Sequence, residues 1–253
     1  MENSSIIELV NVHKSFNGQK VLNGLHLAIE DGQITVIIGQ SGGGKSVLLK
    51  HMIGLIRPDQ GEVLFEGLDT CCLSDRQLNE VRKNFGMLFQ NAALFDSMTV
   101  GENVAFPLRE HTKLKQHEIV QIVEHKLSQV GLKDVAHKMP SELSGGMQKR
   151  VGLARALALE PKIILFDEPT TGLDPITADA IDRLIVDTQK QTNATYVVIS
   201  HDIESTFKIA DTVAMLYHGR IAEIGKPDAI KSSKNLALQQ FIEGKADGPI
   251  QVV

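Results

Sequence analysis

Long hydrophobic runs are missing from this chain. The longest uninterrupted apolar stretch is five residues, Val213 to Tyr217. A membrane-spanning helix needs roughly 20, so the chain is not expected to cross a bilayer. The opening Met-Glu-Asn-Ser-Ser has neither a basic n-region nor an apolar h-region, so no secretory signal is expected. Cysteine is scarce. The two present, Cys71 and Cys72, are adjacent. Neighbours cannot staple a loop and lack zinc-ligand spacing, so two reduced thiols are the simplest reading, with a redox role as the alternative. Excess positive charge is also lacking. Twenty-six Lys and Arg against 31 Asp and Glu leave a net charge of −5. That argues against binding nucleic acid through bulk basic charge.

What is present is the composition of a globular domain. Hydrophobic residues make up 42% and charged residues 23% of the chain, which excludes wholesale disorder. A length of 253 residues supports one good core with room for a subdomain.

The N-terminal part reads as β-rich. Strands are predicted over Ile6 to Val12 and Val21 to Ile29, with Asn17-Gly18 as the turn between them. Ile34 to Ile38 is a continuous apolar run suited to a strand buried on both faces. A glycine-rich segment follows, then a helical pattern from Lys45 to Ile53. Glu62 to Phe65 and Phe85 to Phe89 are further strand candidates. From about 92 to 160 the pattern is helical, including Gln116 to Val130 and a helix entered through Ser144-Gly145-Gly146. After Pro161 strands (Ile163 to Phe166, Tyr196 to Ile199) alternate with helices (Pro175 to Gln191, Asp202 to Ile209). Thr212 to Leu216 and Arg220 to Ile224 form a closing hairpin at His218-Gly219. This is an α/β pattern with a helical insertion, and the alternation implies a mainly parallel sheet. The expected division is an α/β core over about 1–91 and 161–230, a helical subdomain over about 92–160, and a tail over about 231–253.

Gly39-Gln40-Ser41-Gly42-Gly43-Gly44-Lys45-Ser46, followed by Val47, matches the phosphate-loop pattern and stands between a buried strand and a helix. Glycine lets the loop wrap a phosphate closely with its N–H groups pointing inward. The helix start adds free donors and a positive dipole end. Lys45 is placed to reach the β- and γ-phosphates, and the Ser46 hydroxyl to take a position on Mg²⁺. The implied ligands are ATP and Mg²⁺. Ile163 to Phe166 then runs into Asp167 and Glu168. Strand ends are where α/β sheets place ligands. Asp167 suits the Mg²⁺ water shell, and Glu168 suits a general base or orienter for the attacking water.

Between these motifs lies Leu143-Ser144-Gly145-Gly146-Met147. After them come Thr171-Gly172-Leu173-Asp174-Pro175 and Ser200-His201-Asp202, and Gln90 follows the strand at 85–89. This ordered set, spanning residues 6 to about 230, resembles the nucleotide-binding subunit of ATP-binding-cassette (ABC) transporters. The resemblance implies a P-loop NTPase fold: a RecA-like, mainly parallel sheet with an N-terminal antiparallel part and a helical subdomain. It implies an ATPase acting as a homodimer with two ATP molecules in a head-to-tail sandwich. The phosphate loop of one copy would face Ser144, Gly145 and Gly146 of the other. His201 would contact the γ-phosphate and hold the water. Gln90 would contact Mg²⁺ or water, and Asp174 would sit at the dimer seam. Phe16 falls where the family stacks an aromatic on adenine, with simple core packing as the alternative. The signature usually ends in Gln. Here it ends in Met147, which puts a polar contact to the ribose in doubt.

Leu-Ser-Gly-Gly-Met followed by Gln148-Lys149-Arg150, together with Asp174-Pro175-Ile176-Thr177 and the tail Phe241 to Pro249, resembles the subgroup that energises MCE-type (Mla) lipid transport for outer-membrane lipid asymmetry. That resemblance implies three partners. They are an integral-membrane permease (MlaE-like), a periplasmic MCE-domain protein (MlaD-like) and a small STAS-domain protein (MlaB-like). No nucleic acid is implied. It also implies a peripheral location on the cytoplasmic face of the bacterial inner membrane. A transporter for another substrate is the alternative. Gly244, Gly248 and Pro249 forbid a continuing helix in the tail, which is either disordered or reaches a neighbouring subunit. Leu94, Phe95 and Met98 either line a groove for a permease helix or pack inside the helical insertion. A soluble repair or translation ATPase is disfavoured. No long coiled coil fits in the about 100 residues between phosphate loop and signature, and there is one cassette rather than two. A non-hydrolysing nucleotide sensor is disfavoured by the presence of both Glu168 and His201.

Overall fold

The computed structural model describes residues 5–251. Residues 1–4 and 252–253, the outer ends of the expected core and tail, lie outside the described residues. In chain order the elements open with β1 (Ser5–Phe16), β2 (Gln19–Glu30), β3 (Ile34–Ile38) and α1 (Lys45–Met52). Next come β4 (Gln60–Phe65), β5 (Leu68–Asp69), α2 (Asp75–Arg82) and β6 (Phe85–Leu88). Then follow α3 (Val100–His111), α4 (Gln116–Gln129), α5 (Gly145–Leu157), β7 (Ile163–Asp167) and α6 (Pro175–Thr192). The chain closes with β8 (Thr195–Ser200), α7 (Ile203–Ile209), β9 (Thr212–Tyr217), β10 (Arg220–Gly225), α8 (Pro227–Lys231) and α9 (Leu236–Glu243).

These elements form two compact units. One takes the chain up to Leu78 and again from Val197; the other is Asn79–Tyr196. In the first unit, β2-β1-β4-β5 make an antiparallel sheet. The β1–β2 turn forms at Asn17 (φ 49°) and Gly18 (φ 80°). Two positive φ values are what a two-residue turn needs to match the strand twist. His218 (φ 48°) and Gly219 (φ 73°) close the β9–β10 hairpin in the same way. β3 runs parallel to β9. All five residues of β3 are buried, as a strand covered on both faces must be. Leu48 and Leu49 of α1 and Val213 to Met215 of β9 are buried too. Each buried Leu, Val or Met side chain among them contributes about 1.5–3 kcal/mol through apolar burial.

The C-terminal residues are tied down as well. Gly244 ends α9 in the left-handed region (φ 63°). The chain then turns back so that Ile250 is buried. Gln240 accepts from the Ile250 N–H at 2.7 Å and donates to its carbonyl at 3.0 Å. The Tyr217 hydroxyl donates to the Pro249 carbonyl at 3.1 Å. Ile250 thus anchors the tail to its own chain, while residues 243–249 are exposed.

In the second unit, β6 and β7 run parallel, and α3, α4 and α5 pack on one another. Val100, Val104 and Leu108 of α3, Ile119, Val123 and Leu127 of α4, and Val151, Ala154 and Leu157 of α5 are buried. Their three- and four-residue spacing is the apolar stripe that makes these segments helices. The capping box at the head of α3 is complete: Glu102 N–H donates to Thr99 Oγ1, and Thr99 N–H donates to Glu102 at 2.8 Å. Among the described residues no helix is long and apolar enough to cross a membrane.

Candidate functional site

The phosphate-loop sequence becomes a tight strand–loop–helix connection. β3 ends at Ile38 and α1 begins at Lys45. Two glycines are fixed by space. A Cβ on Gly39 (φ 155°) would overlap the Leu216 carbonyl, and one on Gly44 (φ 98°) would lie 2.9 Å from Val21 Cγ1. Gly43 N–H donates to the Gln40 carbonyl at 3.0 Å and tightens the loop. Lys45 is buried, and its ammonium donates to the Gly39 and Gln40 carbonyls at 2.7 and 3.0 Å. Ser46 and Val47 occupy the first turn of α1, which holds no acidic residue. N–H donors at a helix start favour an anion. His51, one turn on, donates from Nδ1 to the Val47 carbonyl at 2.7 Å, and burial keeps its pKa below the ordinary value.

The first unit also carries His201 and Phe16. His201 follows directly on β8 and is exposed. The next residue, Asp202, caps α7 by accepting from Ser205 N–H at 3.0 Å. Phe16 ends β1 and is 42% exposed, with the Lys14 ammonium 5.6 Å from its ring centroid. Simple core packing is therefore not its role.

In the second unit, Asp167 ends β7, and Glu168 follows with φ 51°. Glu168 Oε2 accepts from the Thr171 hydroxyl at 3.0 Å and from Gln90 Nε2 at 3.4 Å. So Gln90 and Glu168, 78 residues apart in sequence, meet through their side chains. The Lys149 ammonium is buried and donates to the carbonyls of both residues, to Glu168 at 3.3 Å. Burial lowers the Lys149 pKa, against the pull of the Glu168 and Asp167 carboxylates. Sequence reasoning did not single out Lys149 or Thr171 as site residues. The signal for Lys149 was spacing: Gly146, Lys149 and Leu153 fall three and four apart and share the buried side of α5.

Ser144 caps α5, its hydroxyl accepting from Met147 N–H at 3.3 Å. Ser144 and Gly145 are exposed and Gly146 is buried. Asp174 caps α6 and accepts from the N–H groups of Ile176 and Thr177 at 3.1 and 3.0 Å and from the Thr177 hydroxyl at 2.5 Å. The Thr177 hydroxyl is the main reason the Asp174 pKa lies below the usual carboxylate value. Thr177 in turn covers the signature: a Cβ on Gly146 would lie 2.5 Å from Thr177 Cγ2.

Residues 22–171 match the ABC transporter family. The chain belongs to the ABC transporter family. It is an ABC ATPase with the P-loop fold of these cassettes. It is 45% identical over 98% of its length to the intermembrane phospholipid transport system ATP-binding protein MlaF of Haemophilus influenzae, covering 94% of that protein. It is 43% identical over 96% of its length to the probable ribonucleotide transport ATP-binding protein mkl of Mycobacterium tuberculosis, covering 68% of that protein. Among solved structures it resembles the dimeric post-hydrolysis state of the ATP-binding cassette MJ0796 bound to ADP and Pi. That match has a TM-score of 0.80 at 32% identity and covers 87% of this chain and 98% of the other. The α/β fold and the ABC assignment expected from the motifs thus hold for this ABC ATPase.

The cysteines play no part in the geometry above. Both are free thiols, and Cys71 is pushed up to about 11, chiefly by burial. Such thiols are poor nucleophiles at neutral pH. Among the described residues no group of three His, Cys, Asp or Glu is placed to hold a metal. Mg²⁺ takes one or two protein oxygens and leaves the rest of its shell to phosphate and water. The Ser46 hydroxyl and the Asp167 carboxylate are hard oxygen donors of the right kind.

Proposed function

We propose that this ABC ATPase energises phospholipid transport between the inner and outer membranes, acting through a membrane permease. The observation that carries this reading is its 45% identity, end to end, with the H. influenzae phospholipid transport ATPase. In this reading Gly39 to Val47 cradle the phosphates, with Lys45 on the β- and γ-phosphates. Ser46 and Asp167 would hold Mg²⁺, which when bound neutralises developing phosphate charge. Glu168 accepts a proton from the attacking water, and Gln90 and His201 orient that water. Phe16 stacks on adenine. Two copies assemble around ATP, each presenting Ser144, Gly145 and Gly146 to the γ-phosphate on its partner, with Asp174 near the seam. Loss of the γ-phosphate removes those contacts and lets the pair open. The permease, MCE-domain and STAS-domain partners and the inner-membrane location belong to the same proposal.

A groove in the second unit supports a permease. About 440 Å³ in volume, it is lined by Phe85, Met87, Phe89, Phe95, Phe106 and Arg155, among others. The Phe95 and Phe106 rings lie 4.9 Å apart, and the Arg155 guanidinium lies 5.9 Å from the Phe95 ring. An apolar floor with a cationic rim suits an amphipathic helix end. Of the three residues expected there, Phe95 lines the groove, while Leu94 and Met98 are half-buried outside its lining.

The 43% identity with mkl favours a second reading, in which the transported molecule is a different solute. One experiment separates the two. The chain is expressed in a Gram-negative strain lacking its own phospholipid transport ATPase, and outer-leaflet phospholipid is measured. Restored asymmetry supports lipid transport. Unrestored asymmetry, from a protein that assembles with the resident permease and hydrolyses ATP, points to another substrate.

A further inference from the structure

α5 carries a buried cation that donates to two main-chain carbonyls. Lys149 is 5% exposed, and its ammonium donates to the carbonyl oxygens of Gln90 and Glu168. Burying an ammonium is unfavourable unless acceptors replace its water, so an apolar residue at this position would be easier to accommodate. The carbonyls explain why a donor is needed: a part-buried carbonyl left without one is unfavourable. A charged donor also makes the stronger bond.

The two residues held by Lys149 are the two whose side chains meet at 3.4 Å. Lys149 joins their backbones, and the Gln90 amide joins their side chains. The result is a closed ring of contacts through three residues. Glu168 also has φ 51°. A non-glycine residue in that region is held there by its surroundings rather than by its own preference. The Lys149 bond to the Glu168 carbonyl is one such restraint, placed on the peptide that leads out of the strained residue.

We propose that Lys149 is a positioning residue for ATP hydrolysis: by holding the carbonyls of Gln90 and Glu168 together it sets the angle at which both side chains meet the attacking water. The proposal rests on the assignment of Glu168 and Gln90 to hydrolysis made above. It places no chemistry on Lys149 itself. The ammonium transfers no proton and touches no phosphate.

The test uses the full chain with ATP and Mg²⁺. Lys149→Met keeps the length and loses both donors. It lowers kcat by about 10- to 100-fold, the loss expected of a misplacement near 1 Å. KM for ATP stays within about twofold, since the phosphate loop is untouched. Lys149→Gln retains N–H donors and brings kcat back to about two- to fivefold below wild type. In a Gln90→Ala background, Lys149→Met costs less than it does alone, because the share that acts through the Gln90 side chain is already lost. A wild-type kcat for Lys149→Met overturns the proposal. So does a Gln variant no better than Met, or full additivity with Gln90→Ala, since a merely structural lysine would give those results. If Lys149→Met does not fold, Lys149→Gln decides: an intermediate kcat at unchanged melting temperature supports the proposal, and a wild-type kcat overturns it. Glu168→Gln is assayed alongside. If it is inactive while Lys149→Met is normal, only the lysine proposal fails. If it turns over at the wild-type rate, the glutamate assignment fails too.

Discussion

Gly146 of the signature and Thr177 of α6 are in mutual contact, so close that a Cβ on the glycine would lie 2.5 Å from the Thr177 methyl carbon. Thr177 cannot easily give way, because Asp174 holds both its N–H and its hydroxyl. The second signature glycine is therefore required by packing inside its own subunit, apart from any phosphate it donates to. Gly146→Ala should destabilise the protein by about 1–3 kcal/mol, the range for overpacking. Adding Thr177→Ser removes the methyl but keeps the hydroxyl, and should recover most of that loss. Urea unfolding of the single and double variants checks this. A double variant no more stable than Gly146→Ala would locate the clash elsewhere.

Asp174 gives a pH dependence of defined sign. Its carboxylate is held below the ordinary value of 3.8, first by the Thr177 hydroxyl and then by the Thr177 N–H. A group with a depressed folded pKa contributes stability above its unfolded pKa and loses it as pH falls through the folded one. Wild type should thus melt above Asp174→Ala at neutral pH. The gap should hold down to about 3.8 and close below it. Melting curves at a series of pH values read this directly. A gap that widens in acid would contradict the cap.

Glu168→Gln should reduce ATP turnover by about 100-fold or more, the scale of general-base catalysis. Nucleotide binding should persist, because Lys45 and the loop are unchanged. If the sandwich reading is right, the variant accumulates as an ATP-dependent dimer on size-exclusion chromatography. A variant that stays monomeric with ATP bound would argue against the sandwich.

Gln240→Leu should release the C-terminal residues. It removes both hydrogen bonds to Ile250 and leaves a buried N–H and carbonyl unpaired. Hydrogen exchange across residues 245–251 should accelerate while that of β3 and β9 stays slow. Equal protection in both proteins would show that the apolar contact of Ile250 suffices.

Much of the element order, and the residue types that the motifs call for, could be read from the sequence by itself, whereas α2, α8 and α9 could not. The Asn17-Gly18 and His218-Gly219 turns, the buried strand β3 and the capped starts of α5 and α6 all follow from local rules. Turn glycines, hydrophobic period and capping residues act within a few positions of the chain. The phosphate-loop residues were legible for the same reason, since consecutive N–H groups need no distant partner.

Only the tertiary structure decided which groups meet across long separations. Gln90 reaches Glu168 over 78 residues, and Lys149 reaches Gln90 over 59. For Phe16, core packing stayed open as the alternative to stacking until its exposure was known. The tail could have been free until Gln240 was seen to hold Ile250. In each case the deciding quantity is what a group meets, or fails to meet, once the chain has folded back. Burial depends on where the chain returns, which no local pattern encodes.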